Sequence, residues 1–132
     1  MTSLNHSELL EMAVAAAQAS YSPYSKYRVG AAVVTGDGVV VTGANIENAA
    51  YGASVCAETN AITSAIAAGA TSIDTVAVVC LDGDACTPCG NCRQVMREFG
   101  VQTVVMRGGN GMPVTMALAD LLPESFGPEF LK

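Results

Sequence analysis

Cys56-Ala57-Glu58 and, further along, Pro88-Cys89-Gly90-Asn91-Cys92 are the residues of this chain whose types and spacing could do chemistry. Three thiolates are soft ligands suited to zinc. A carboxylate two positions after one of them is placed to carry protons at the ion. Zinc held by three protein ligands keeps its fourth position for water, and that open position separates a catalytic site from a structural one. The pattern therefore points to metal-assisted hydrolysis, with Cys56, Cys89 and Cys92 as ligands and Glu58 as the acid/base.

Other uses of these cysteines must be weighed. A fourth thiol from Cys80 or Cys86 would close a structural zinc site. Cys86, Cys89 and Cys92 also have the spacing of iron–sulfur ligands, but such a run needs a fourth Cys followed by Pro, and Met96 and Arg97 stand there. Neither rival gives a reason for Glu58 after one ligand or Pro88 before another. Cys80 falls in an apolar run and reads as a core thiol, and Cys86 as a neighbour of the site. His6, the single histidine, is expected in solvent at the start of the first helix, so acid/base work falls to Glu58.

Three thiolates on Zn²⁺ leave a net charge of −1, which makes bound water less acidic than in a three-histidine site. Positive potential must compensate. Helix N-termini supply some of it, and Arg93, directly after Cys92, is expected to donate to a ligand sulfur.

The elements that position these residues follow from the pattern along the chain. Asn5 with Glu8 forms a capping box for a helix reaching residue 19. The β-branched runs 29–34 and 39–44 make a hairpin across Thr35-Gly36-Asp37-Gly38, whose Gly and Asp are expected at positive φ. A polar loop over 45–55 leads to Cys56, and 56–68 and 89–99 read as helices. Residues 75–81 and 101–106 read as strands buried on both faces. Gly108-Gly109-Asn110-Gly111 is a turn, and 116–122 a short helix stopped by Pro123. The loop before Cys89 runs over 82–88. A hairpin followed by strand–helix alternation implies a mixed sheet with helices on its faces, and both cysteine motifs fall at helix N-termini.

Composition bounds the rest. The 132 residues suit one domain spanning 1–132. Hydrophobic residues make up 51% and charged residues 14%, so apolar a small domain that subunit contacts are expected. Net charge is −6, which argues against a nucleic-acid partner. Five cysteines without a secretion signal point to reduced thiols and a cytoplasmic location. No apolar run reaches membrane-spanning length.

With these residues in hand, the chain resembles the small three-cysteine cytidine deaminases. The likeness runs through Ser22-Pro23-Tyr24-Ser25-Lys26-Tyr27, Val29-Gly30-Ala31-Ala32, Asn45-Ile46-Glu47-Asn48-Ala49-Ala50-Tyr51, both cysteine motifs with Arg93-Gln94, and Leu121-Leu122-Pro123. The [His/Cys]-x-Glu … Pro-Cys-x-x-Cys pattern is that of zinc deaminases, whose glutamate is not a ligand. The resemblance implies a three-layer α/β/α sandwich with a mixed five-stranded sheet, a homotetramer with one zinc per subunit, and hydrolysis of cytidine and 2′-deoxycytidine in pyrimidine salvage. It also implies that Asn45 and Glu47 hold the ribose hydroxyls, and that the backbone around Ala57 and Thr87 holds the pyrimidine edge. Tyr27 would pack on the nucleoside and Phe126 would reach a neighbouring subunit's pocket. Many members carry Arg directly after the glutamate, where this chain has Thr59. Another aminopyrimidine nucleoside, or a zinc module without activity, is the alternative reading; the second would have no use for Glu58.

Overall fold

In the computed structural model, which describes residues 4–83 and 86–131, five strands form one mixed sheet. The elements run α1 (His6–Ala17), β1 (Val29–Thr35), β2 (Val40–Ala44), α2 (Ala57–Ala67), β3 (Ile73–Cys80), α3 (Gly90–Glu98), β4 (Thr103–Arg107), β5 (Pro113–Ala117) and α4 (Leu118–Leu121). Across the sheet the order is β2-β1-β3-β4-β5. The β3–β4 pair is parallel, with α3 as its crossover; the other pairs are antiparallel.

Alternation along the central strands divides the core into two layers. Ala31, Val33, Val76, Val78, Val104 and Met106 pack with Ala57, Ala61 and Ile62 of α2 and Cys92 and Met96 of α3. Ala32, Ala77, Val79 and Val105 face the other way, onto Leu9, Leu10 and Ala13 of α1. The result is the expected α/β/α sandwich. Two glycines set how closely the helices lie on it. A Cβ at Gly30 would stand 2.0 Å from the Ala13 carbonyl oxygen, and one at Gly43 would stand 2.7 Å from the Ala61 amide nitrogen. Only a bare Cα lets α1 and α2 rest directly on the hairpin.

Four local expectations are corrected. The first helix starts with its capping box, Glu8 N–H to Asn5 Oδ1 at 2.8 Å, but ends at Ala17 rather than 19. In the hairpin turn only Gly38 has positive φ, at 89°; Asp37 instead accepts a hydrogen bond from the Thr35 hydroxyl. Thr35 also takes the Val39 N–H at 2.9 Å, so a side chain does part of what backbone geometry was expected to do. The segment after the glycine turn begins as strand β5, and the short helix there is confined to Leu118–Leu121. His6 is half-buried, and its Nδ1 lies 2.9 Å from the Thr115 hydroxyl. Of the loop expected over 82–88, residues 84 and 85 lie outside the described residues.

Candidate metal centre

Cys56 is the N-cap residue of α2 and Cys89 that of α3, and neither sulfur accepts a capping hydrogen bond. Their backbones do the capping work, the Cys56 and Cys89 carbonyls accepting from Asn60 and Arg93 at 2.9 and 3.0 Å. Cys92 lies three residues beyond Cys89, in the first turn of α3, so the Cys-x-x-Cys sulfurs converge on one side of that helix end. All three sulfurs fall within 4.8 Å of one another, and Cys56 and Cys89 are 3.9 Å apart. Tetrahedral zinc with its usual sulfur bonds wants ligand sulfurs ~3.8 Å apart, so this donor set fits that ion. Cys80 is buried in β3, and Cys86 is half-buried against the core; neither joins the cluster. Burial pushes the Cys86 thiol up to about 12, which leaves it inert as a thiolate.

Glu58 sits in the first turn of α2, only 4% exposed. Burial raises its carboxyl above the ordinary range, while its own backbone amide and Cys92 pull the other way by hydrogen bonding. A carboxyl whose protonated form is favoured by burial can return a proton as well as take one. Ala57, beside it, is fully buried, whereas Thr87 is exposed on the loop before Cys89.

Asn45 and Glu47 reach the cluster's neighbourhood through the backbone. Ile46 pairs with Val55 by reciprocal bonds of 3.0 and 2.9 Å, an isolated bridge that closes the polar loop and holds the 45–47 stretch beside the residue that precedes Cys56. Asn45 accepts from Val29 N–H at 3.0 Å and from the Ser20 hydroxyl, and donates to the Tyr27 carbonyl at 2.8 Å. One amide hydrogen is left over. Glu47 Oε1 accepts from Tyr24 and Ser25 N–H at 3.0 and 3.1 Å, and Oε2 from the Ser25 hydroxyl. These bonds, the Ser25 hydroxyl first, hold its carboxyl below the usual range. Glu47 thus staples the 21–28 segment, a role its position in the sequence did not reveal. Tyr24, Ser25, Glu47, Tyr51 and Ser54 line a cavity of about 340 Å³. A larger one, about 460 Å³ and lined by Leu4, His6, Leu9 and Asp74 among others, shares no residue with the cysteine cluster.

Tyr27 is 38% exposed, and the hydroxyl that distinguishes it from Phe has a partner. Hydrogen bonding with the Cys80 side chain pushes the phenol up to about 12. Arg28, next in sequence, grips Asp82 through Nε and Nη2 at 3.1 and 3.0 Å, anchoring the chain just past β3.

Arg93 departs from expectation. Its Nε donates to the Pro88 carbonyl at 2.7 Å and its Nη1 to the Leu121 carbonyl at 2.8 Å; among the described residues it gives no hydrogen bond to a ligand sulfur. The guanidinium instead braces the residue before Cys89. A cluster sulfur is met by Thr59, whose hydroxyl lies 3.5 Å from Cys92 Sγ. The tail is tied to the same helix: Gln94 donates to the Phe126 carbonyl, and Arg97 to the Ser125 hydroxyl and Glu129. The Phe126 ring stacks on Phe130 at 5.4 Å and stays 57% exposed.

Comparison with known proteins agrees with this architecture. Residues 3–107 match the family model for the cytidine and deoxycytidylate deaminase zinc-binding region. A cytidine deaminase of Halalkalibacterium halodurans is 40% identical over 123 residues, covering 92% of this chain and 93% of the relative. One from Mycobacterium tuberculosis is 41% identical over 118 residues, 87% of this chain and 84% of its own. The crystal structure of the cytidine deaminase from Burkholderia pseudomallei superposes with a TM-score of 0.86 at 44% identity, over 93% of this chain and 100% of that one. With its zinc-spaced thiols and buried glutamate on a shared fold, this chain belongs to the family of zinc-dependent cytidine and deoxycytidylate deaminases.

Proposed function

We propose that this protein hydrolyses cytidine and 2′-deoxycytidine to uridine and 2′-deoxyuridine with release of ammonia, as a homotetramer serving pyrimidine salvage in the cytoplasm. The observation that carries the reading is Glu58, a buried carboxyl in the turn next to three convergent thiols. Cys56, Cys89 and Cys92 would hold one zinc ion, which when bound polarises water for attack on an amidine carbon. Glu58 takes the proton that the attacking water gives up and delivers it to ring nitrogen 3; it then takes the proton of the new hydroxyl on the amidine carbon and passes it to the amino group, so that ammonia leaves as the carbonyl forms. The spare amide hydrogen of Asn45 and the remaining lone pair of Glu47 suit a neutral diol, and the Glu47 charge disfavours a 5′-phosphate. Tyr27 and the backbone at Ala57 and Thr87 would frame the base. Arg93 holds the loop through Pro88.

Two features favour shared pockets: the tail presents Phe126 and Phe130 outward, and Tyr21, Tyr24, Tyr51 and Leu131 are also exposed. An aromatic ring supplied to a neighbour adds area and stacking over a pyrimidine. No described helix is long and apolar enough to cross a membrane. Uridine and ammonia should appear in equal amounts when cytidine is added to zinc-loaded protein; no ammonia from protein carrying one zinc per chain would sink the reading. Mixing Glu58→Gln with Phe126→Ala subunits tests the assembly. Recovered activity above either parent is expected, and no recovery despite proven subunit exchange removes the shared pocket.

A further inference from the structure

We propose that Thr59 is a positioning residue for the metal centre, its hydroxyl donating to Cys92 Sγ so that a neutral dipole, not a cation, offsets the charge of the thiolate set. The proposal rests on the reading of Cys56, Cys89 and Cys92 as zinc ligands. Thr59 is half-buried in the first turn of α2, 3.5 Å from that sulfur. A thiolate has no hydrogen to give, so with Cys92 ionised the bond can run only from oxygen to sulfur.

This hydroxyl turns to sulfur where a helical threonine usually turns to backbone. A helical threonine ordinarily bonds back to the carbonyl three or four residues earlier, and Thr63, one turn on, does so to Thr59 and Asn60 at 2.8 and 3.3 Å. For Thr59 those carbonyls belong to Cys56 and Val55. The first accepts from Asn60 N–H and the second from Ile46 N–H. The Thr59 hydroxyl instead meets Cys92 Sγ, so the side chain is turned away from its own helix backbone and toward the cluster. Arg93, the nearest cation in sequence, is spent on two carbonyls. Thr59 brings a hydroxyl to a sulfur of the cluster, where Cys92 also bonds with Glu58.

Without that bond the net-negative complex loses stabilisation. Zinc affinity of Thr59→Val, read by competition with a chromophoric chelator, should fall ~10–100-fold, the usual effect of losing an outer partner of a ligand. Thr59→Ser should restore it. In protein reconstituted with Co²⁺, the sulfur-to-metal charge-transfer band of Thr59→Val should move to longer wavelength, because an unbonded thiolate yields its electron more easily. Circular dichroism identifies a variant that fails to fold, and the Ser variant then carries the comparison: it keeps the donor and should keep wild-type affinity and band position. Unchanged affinity and band in a folded Val variant overturn the proposal, as does equal loss in Val and Ser, which would assign Thr59 to packing. Cys92→Ala separates this from the ligand reading. If it still binds one zinc as tightly as wild type, the ligand assignment fails; if it loses zinc while Thr59→Val does not, only the role of Thr59 fails.

Discussion

Replacing Glu58 by Gln changes the chemistry of one buried group while keeping its shape. The side chain is 4% exposed, so the amide must fit the same space, and it keeps a carbonyl oxygen for the acceptor role. What disappears is the ability to shuttle a proton. A positioned acid/base contributes ~10²–10⁴ in rate, which at 1.36 kcal/mol per decade is about 2.7–5.4 kcal/mol of barrier. Ammonia release from cytidine should fall by that much, and metal analysis should still give one zinc per chain, because no ligand has been touched. A second signature has the opposite sign. Burial raises the Glu58 carboxyl above its unfolded value, so its contribution to stability is fully present below the unfolded pKa and is lost as pH rises through the folded one. In chelator-treated protein, Glu58→Gln should therefore melt above wild type at pH 8, and the gap should close toward pH 4. A variant that keeps wild-type turnover, or that loses zinc with activity, would refute the reasoning.

Replacing Cys56, Cys89 or Cys92 with Ala should remove zinc and activity together, while Cys86→Ser keeps one zinc by metal analysis; the reverse pattern would show the ligand set to be misassigned. Glu47→Ala should lower kcat/KM for cytidine by about 1–3 kcal/mol, the scale of one unpaired buried polar group, with zinc content unchanged. Glu47 is also depressed by its loop partners, so the staple is intact above the unfolded carboxylate range and lost as pH falls through the folded value; amide-exchange protection of Tyr24 and Ser25 should drop on that acid limb and nowhere above it. Gly30→Ala forces a Cβ against the Ala13 carbonyl and should cost about 1–3 kcal/mol of unfolding free energy, measured by urea denaturation.

The metal centre was legible because its logic is local: Cys-x-x-Cys at the start of a helix needs only three residues of geometry, and Glu58 is fixed two residues from Cys56. The buried strands were legible because continuous Val and Ala runs leave few alternatives. Strand β5 was not. It starts with Pro113, all its later residues are exposed, and its existence depends on pairing with β4, a contact with no trace in its own alternation. Arg93 was misread for a similar reason. Adjacency to Cys92 suggested a sulfur partner, but the carbonyl of Leu121, twenty-eight residues away, competes for the same guanidinium. The Glu47 staple likewise joins positions twenty-two and twenty-three apart, beyond the reach of any local rule.

The placement of Cys56 and Cys89 at the starts of two different helices has a mechanical meaning apart from catalysis. An ion bridging them closes a loop of thirty-three residues that holds α2, β3 and the turn into α3. It acts as a removable cross-link. By the chain-entropy estimate used for disulfides, closing a loop of that length removes roughly 3–4 kcal/mol of freedom from the unfolded chain. An ion bound there would therefore also clamp the folded chain, and stripping it should loosen the very segment whose helix ends build its own site.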